Sequence, residues 1–117
     1  MTIQRVVPNI TSERTDETQE FYIQLFGFEV AMDLGWIITL ASPSNPSAQI
    51  SVFRDTPSSE EVPSLTIEVD DVDVVHEAAT DRGLQITYPL TDEEWGVRRF
   101  YLLDPNGIVI NVMSHVA

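Results

Sequence analysis

Few side chains in this sequence can do chemistry, and their types narrow what that chemistry is. The chain has 117 residues with two histidines, His76 and His115, and no cysteine. Disulfides, thiolate zinc sites and cysteine nucleophiles are therefore excluded. A catalytic zinc, iron, nickel or manganese centre needs about three or more N, O or S ligands, some of them imidazole or carboxylate. Two scattered histidines make that inventory thin. The acidic run EVDDVDVVHE (Glu68 to Glu77) lacks the glycine and the distal bidentate glutamate of a calcium-binding EF-hand loop. Helix capping and the helix dipole account for Asp70, Asp71 and Asp73, and His76 follows in a helical register expected to be solvated. There is no G-x-S-x-G nucleophile motif and no glycine-rich phosphate loop. What remains is recognition chemistry. Trp36 follows Gly35 and Trp95 precedes Gly96, so both rings are expected at strand ends. There they either cap the core or stack on flat heteroaromatic or cationic groups. Arg98 and Arg99 alternate faces, so at most one guanidinium points into a cleft, with Glu93, Glu94 or Glu68 as an internal ion-pair partner.

The elements that would position these groups follow from apolar spacing. In TDETQEFYIQLFGF, Asp16 is the expected N-cap, Phe21, Tyr22, Leu25 and Phe26 form an apolar helical face, and Gly27 is the stop. DDVDVVHEAATDRGL repeats the plan with Asp71 as cap, Val72, Val75, Ala78 and Ala79 on one face, and Gly83 as stop. Extended runs are expected over Gln4–Ile10, Glu29–Leu34, Trp36–Ala41 and Gln49–Arg54, then over Ser64–Val69, Gln85–Leu90, Arg98–Leu103 and Ile108–Ser114. Each half reads β-α-β-β-β, so the halves are internal repeats, about 1–55 and 63–117, within one domain. The polar link DTPSSEEVP is expected to be a surface connection.

Alternation then sorts the strand faces. Leu65, Ile67 and Val69 share one face, and Ser64, Thr66 and Glu68 the other. Ile108, Ile110 and Val112 leave Val109, Asn111 and Met113 opposite, and Ile50 and Val52 leave Gln49, Ser51 and Phe53 opposite. Three strands thus put small polar groups on the face away from the helices. Either that face is plainly solvated or it lines a cleft of hydrogen-bonding side chains.

Charge and composition exclude partners. The 19 Asp and Glu against 6 Lys and Arg give a formal charge of −13. Such a field repels phosphate and favours cationic molecules. No nucleic acid and no membrane partner is expected, since no stretch approaches the roughly 20 apolar residues of a membrane span. The start MTIQRVVPNI lacks the basic region, apolar run and cleavage site of an export signal, so a cytoplasmic location is expected.

The segments EFYIQLFGFEV, LTIEVDDVD and EEWGVRRFYLLDPNGIVINVMSH together resemble the vicinal-oxygen-chelate superfamily of glyoxalase I, extradiol dioxygenases and bleomycin-resistance proteins. The resemblance implies an α+β fold of two tandem βαβββ modules, with curved mixed sheets around a cleft, helices on the outer face, and commonly a homodimer. The metalloenzymes of that superfamily hold a divalent ion at positions that fall here on Val7, Gln49, Ser64 and Asn111. Val7 cannot bind a metal, and the other three are neutral, so neither metal nor other cofactor is expected. The resulting expectation is a non-enzymatic, bleomycin-resistance-like binder of a cationic, partly aromatic small molecule. Asn9, Trp36, Gln49, Ser64, Trp95 and Asn111 are its ligand residues. The alternative is a metal-dependent lyase, isomerase or oxidoreductase with substituted or intersubunit ligands.

Overall fold

The computed structural model describes residues 1–54 and 62–116, so the link spanning 55–61 lies outside the described residues. The described chain is a mixed α+β protein with strands β1 (Ile3–Ser12), β2 (Glu29–Asp33), β3 (Ile37–Ala41), β4 (Gln49–Arg54), β5 (Leu65–Val69), β6 (Ile86–Asp92), β7 (Val97–Leu103) and β8 (Val109–His115). Helix α1 (Thr15–Phe26) follows β1, and α2 (Val72–Asp81) follows β5. Two compact units emerge, Val7–Val62 and a second made of Met1–Val6 with Pro63–Ala117, so β1 divides its length between them.

In the Val7–Val62 unit, β1 runs parallel to β4, with Asn9 opposite Ser51, and β4, β3 and β2 pair antiparallel. Ile38, Leu40 and Val52 are buried, and so are Thr39 and Ser51 on the alternate positions. Helix α1 departs from expectation at its N-terminus and on its apolar face. Its cap is Arg14, which makes no side-chain cap bond, and Asp16 sits inside the first turn instead. Ser12 accounts for the earlier start, because its Oγ accepts from the Arg14 N–H at 2.9 Å and lies 3.0 Å from Thr18 Oγ1. Gly27 does end the helix, at φ 80°, with its N–H on the Ile23 carbonyl. The expected apolar face is not packed away: Phe21, Leu25 and Phe26 are more than half exposed, and the rings of Phe21, Tyr22, Phe26 and Phe28 pack chiefly on one another.

In the other unit the start of β1 lies beside β5, and the order continues β8, β7, β6. β5 and β8 are parallel, with Thr66 opposite Asn111 and Glu68 opposite Met113. β7 is antiparallel to both neighbours, placing Tyr101 opposite Asn111 and Arg99 opposite Met113. Helix α2 covers one face through a core of Val69, Val72, Ala79, Phe100, Ile110 and Val112. Asp71 caps it as expected, accepting from the Asp73 N–H at 3.1 Å. Its neighbours in the acidic run do other work. Asp70 receives the Thr2 N–H at 2.9 Å, and Asp73 pairs with Arg98 at 3.0 Å, because the start of β1 and the β6–β7 hairpin bring donors that a helix-only reading does not foresee. His76 is only partly solvated: its half-buried ring meets Phe100 edge-on at 4.9 Å, and Phe100 is wholly buried. The buried hydroxyl of Ser114 donates to the Val69 carbonyl at 2.8 Å and accepts from the Val72 N–H at 2.9 Å, tying β8 to the strand-to-helix junction.

Candidate functional site

The face of the Met1–Val6/Pro63–Ala117 unit turned away from α2 carries its polar chemistry. Alternation puts Thr66 and Glu68 of β5, Asn111, Met113 and His115 of β8, and Arg99 and Tyr101 of β7 on it together. The amide Nδ2 of Asn111 donates to Thr66 Oγ1 at 3.2 Å. Asn111 is 8% exposed, and its Oδ1 has no hydrogen-bond partner. A buried polar atom without a partner is uncommon, since leaving one costs roughly 1–3 kcal/mol.

Beside the amide stands a caged cation. The Arg99 guanidinium lies 5.1 to 5.2 Å from the ring centroids of Tyr88, Trp95 and Tyr101, a distance at which each ring face attracts it. Its Nε is 3.7 Å from Glu93 Oε1, near enough for an ion pair and too far for a hydrogen bond. Glu93 Oε1 instead accepts the Tyr88 hydroxyl at 2.6 Å, so Arg99 Nε is buried without a hydrogen bond. Of the three acidic partners expected for this arginine pair, Glu93 is the one Arg99 meets. Arg98, on the other face, bridges Asp73 and Asp92 at 3.0 Å each.

A second polar group forms where β1 meets β5. Arg5 Nε donates to Glu68 Oε1, and His115 Nδ1 lies 2.7 Å from Glu68 Oε2. The carboxylate can only accept, so the Nδ1–H of this half-exposed ring is the donor. Burial is the largest single influence on Glu68 and opposes its charge, but the hydrogen bonds from His115 and Arg5 together outweigh it and hold the carboxyl below its ordinary value.

The six residues expected to bind ligand divide between the units. In the Val7–Val62 unit Asn9 stands opposite Ser51, whose Oγ lies 3.0 Å from Thr39 Oγ1 in a buried hydroxyl pair. Gln49 opens β4 with its Nε2 on the Pro46 carbonyl at 2.8 Å, and Trp36, just outside β3, rests 5.9 Å from Phe53. In the other unit the Trp95 ring faces the Arg99 guanidinium, and Asn111 stands two residues along β8 from Met113, the residue opposite Arg99, on the same face. Ser64 is an exposed bend residue whose N–H bonds the Val109 carbonyl. Sequence reasoning misses Tyr88 and Tyr101, and it reaches Thr66 only as a member of the polar face of β5. Period-two alternation along Tyr88 and Tyr101 was the available signal, but register shifts in the β6–β7 pairing interrupt it. A shallow depression of about 270 Å³ along α1 is lined by Asp16, Gln19, Glu20, Ile23 and Gln24. It contains none of these groups and carries no chemistry.

The donor set does not suit the divalent ion that the resemblance implies. Val7 is hydrocarbon and 1% exposed, while Gln49 and Asn111 offer only neutral amide oxygens, with no imidazole or carboxylate among them. Glu68 would have to leave both Arg5 and His115 to serve. Among the described residues no three His, Asp or Glu side chains gather in a metal-binding group.

A family model described as Glyoxalase/Bleomycin resistance protein/Dioxygenase superfamily matches residues 2–112. No curated protein matches the chain significantly. Among solved structures, methylmalonyl-CoA epimerase of Streptomyces coelicolor is 18% identical with a TM-score of 0.73, the match covering 99% of this chain and all of that one. A superfamily member of Vibrio splendidus is 19% identical with a TM-score of 0.67, covering 97% and 99%. A variant of 4-hydroxymandelate synthase of Streptomyces coelicolor is 13% identical with a TM-score of 0.65, covering 97% of this chain and 48% of that one. At such identities the likeness is one of fold.

Proposed function

From the premise that this chain belongs to the Glyoxalase/Bleomycin resistance protein/Dioxygenase superfamily, we propose that it binds and sequesters a small molecule without metal and without making or breaking a bond. The observation that carries the reading is Asn111: a neutral amide in the middle of an apolar strand, 8% exposed, with a carbonyl that nothing in the fold satisfies. A core position of that kind is costly unless something outside the fold uses it. The charge of −13 favours a guest that is cationic overall, with a flat portion for Trp36 or Trp95, in the manner of a bleomycin-type antibiotic. In this reading Asn9, Gln49, Ser64 and Asn111 supply hydrogen bonds, and two copies of the chain assemble as a cytoplasmic homodimer.

Calorimetry against a bleomycin-type compound tests the proposal, with Trp36→Ala and Trp95→Ala beside the parent. Loss of about 0.5–2 kcal/mol of binding energy is expected for each ring that stacks on the guest. Unchanged affinity in both variants removes the tryptophans from the site. The competing reading, a metal-dependent lyase, isomerase or oxidoreductase, draws on the enzymes among the structural neighbours. It requires a metal equivalent that survives dialysis, which elemental analysis of untagged protein would detect.

A further inference from the structure

Two buried polar atoms on the same sheet face lack hydrogen bonds, and they are complementary. Asn111 Oδ1 accepts and needs a donor; Arg99 Nε–H donates and needs an acceptor. Asn111 stands opposite Tyr101, and Arg99 stands opposite Met113, two residues further along β8. Asn111 and Arg99 are thus diagonal neighbours on adjacent strands, about 7–8 Å apart at their backbones. On this footing, and resting on the binding role proposed above, we infer that the ligand group recognised here is a carboxamide or lactam. Its N–H donates to Asn111 Oδ1 and its C=O accepts from Arg99 Nε.

Other ligand chemistries fail at one atom or the other. A carboxylate would satisfy Arg99 but set its lone pairs against the Asn111 carbonyl, in a chain of charge −13. An alkylammonium would be drawn to the rings of Tyr88, Trp95 and Tyr101, but those three rings already surround Arg99 and Glu93 stands beside it. A neutral amide leaves the Arg99–Glu93 pairing and the ring contacts of Arg99 in place, and its planar face suits a wall of tyrosine and tryptophan. Both protein atoms are closed to water, so a small opening of the covering side chains accompanies entry. Amide recognition is compatible with a guest that is cationic elsewhere.

The test is a two-dimensional 1H–15N NMR titration of the full chain with propionamide and δ-valerolactam, using propionate and tetramethylammonium as charged controls. Saturable shifts of the Asn111 side-chain amide and the Arg99 Nε–H signals are expected with both amides and with neither control. In Asn111→Val the Arg99 shift should weaken at least tenfold, and in Arg98→Gln, on the opposite face of β7, it should persist. Equal responses to propionate and propionamide, or an unchanged Arg99 response in Asn111→Val, would overturn the inference, as would no saturable shift with either amide. If the amides fail while a bleomycin-type compound still binds by calorimetry, the ligand class is wrong and the binding role stands. If neither binds, both fall.

Discussion

Replacing Asn111 by valine should make the protein more stable, because its buried carbonyl has no partner within the fold. The side chain is 8% exposed and its Oδ1 has no partner, which costs roughly 1–3 kcal/mol relative to a satisfied group. Against that, Asn111→Val gives up the hydrogen bond to Thr66, worth about 1 kcal/mol. Valine adds apolar contact and suits a strand better than asparagine. The balance is about 1–2 kcal/mol in favour of the variant. For a chain of this size that is a rise in Tm of roughly 4–8 °C. Differential scanning calorimetry of both proteins at neutral pH reads it directly. A fall in Tm by several degrees would refute the reasoning, since it would mean that the amide is satisfied and structural. A rise accompanied by loss of ligand binding is the trade of stability for function that such a residue implies.

Three further outcomes follow from the contacts around the site. Ser114→Ala should destabilise the fold by about 2–4 kcal/mol in urea melts, because the Val72 N–H and the Val69 carbonyl both lose their buried partner. A loss under 0.5 kcal/mol would mean that water replaces the hydroxyl. For Glu68 the carboxyl is depressed in the folded state, so its stabilising contribution is complete above its ordinary value of 4.5 and is lost as pH falls through the lower folded value. Glu68→Gln should therefore flatten the acid limb of a stability–pH profile, and a parallel profile for parent and variant would contradict the pairing with Arg5 and His115. Truncating the wholly buried Phe100 to alanine should cost about 3–5 kcal/mol and free the His76 ring, which nitrogen shifts of the imidazole would report.

Much of this architecture is legible in the chain because its strands obey strict alternation. Leu65, Ile67 and Val69 against Thr66 and Glu68 assign the faces of β5 without any coordinates, and Gly27 and Gly83 mark where helices end. The same alternation locates Asn111 on the polar face. Less legible are the features that depend on pairing between distant strands. The cage around Arg99 needs Tyr88 and Tyr101 to meet across a hairpin with two register shifts, and those shifts are not encoded by period-two spacing. Arg5 reaches Glu68 because β1 lies beside β5, a long-range neighbour relation that local sequence does not express. Helix α1 misleads for another reason: Phe21, Leu25 and Phe26 have the spacing of a buried stripe but remain half or more exposed. Apolar periodicity states that a face seeks cover, not that the chain supplies it.

Metal independence of ligand binding is the claim on which the account turns. Native mass spectrometry of untagged protein, dialysed against EDTA and then titrated with a bleomycin-type compound, tests it most directly. The account predicts a saturable complex in the absence of any divalent ion, unchanged when zinc, nickel, manganese or iron is restored. A complex that forms only after metal is added, with one equivalent retained by the protein, would contradict it.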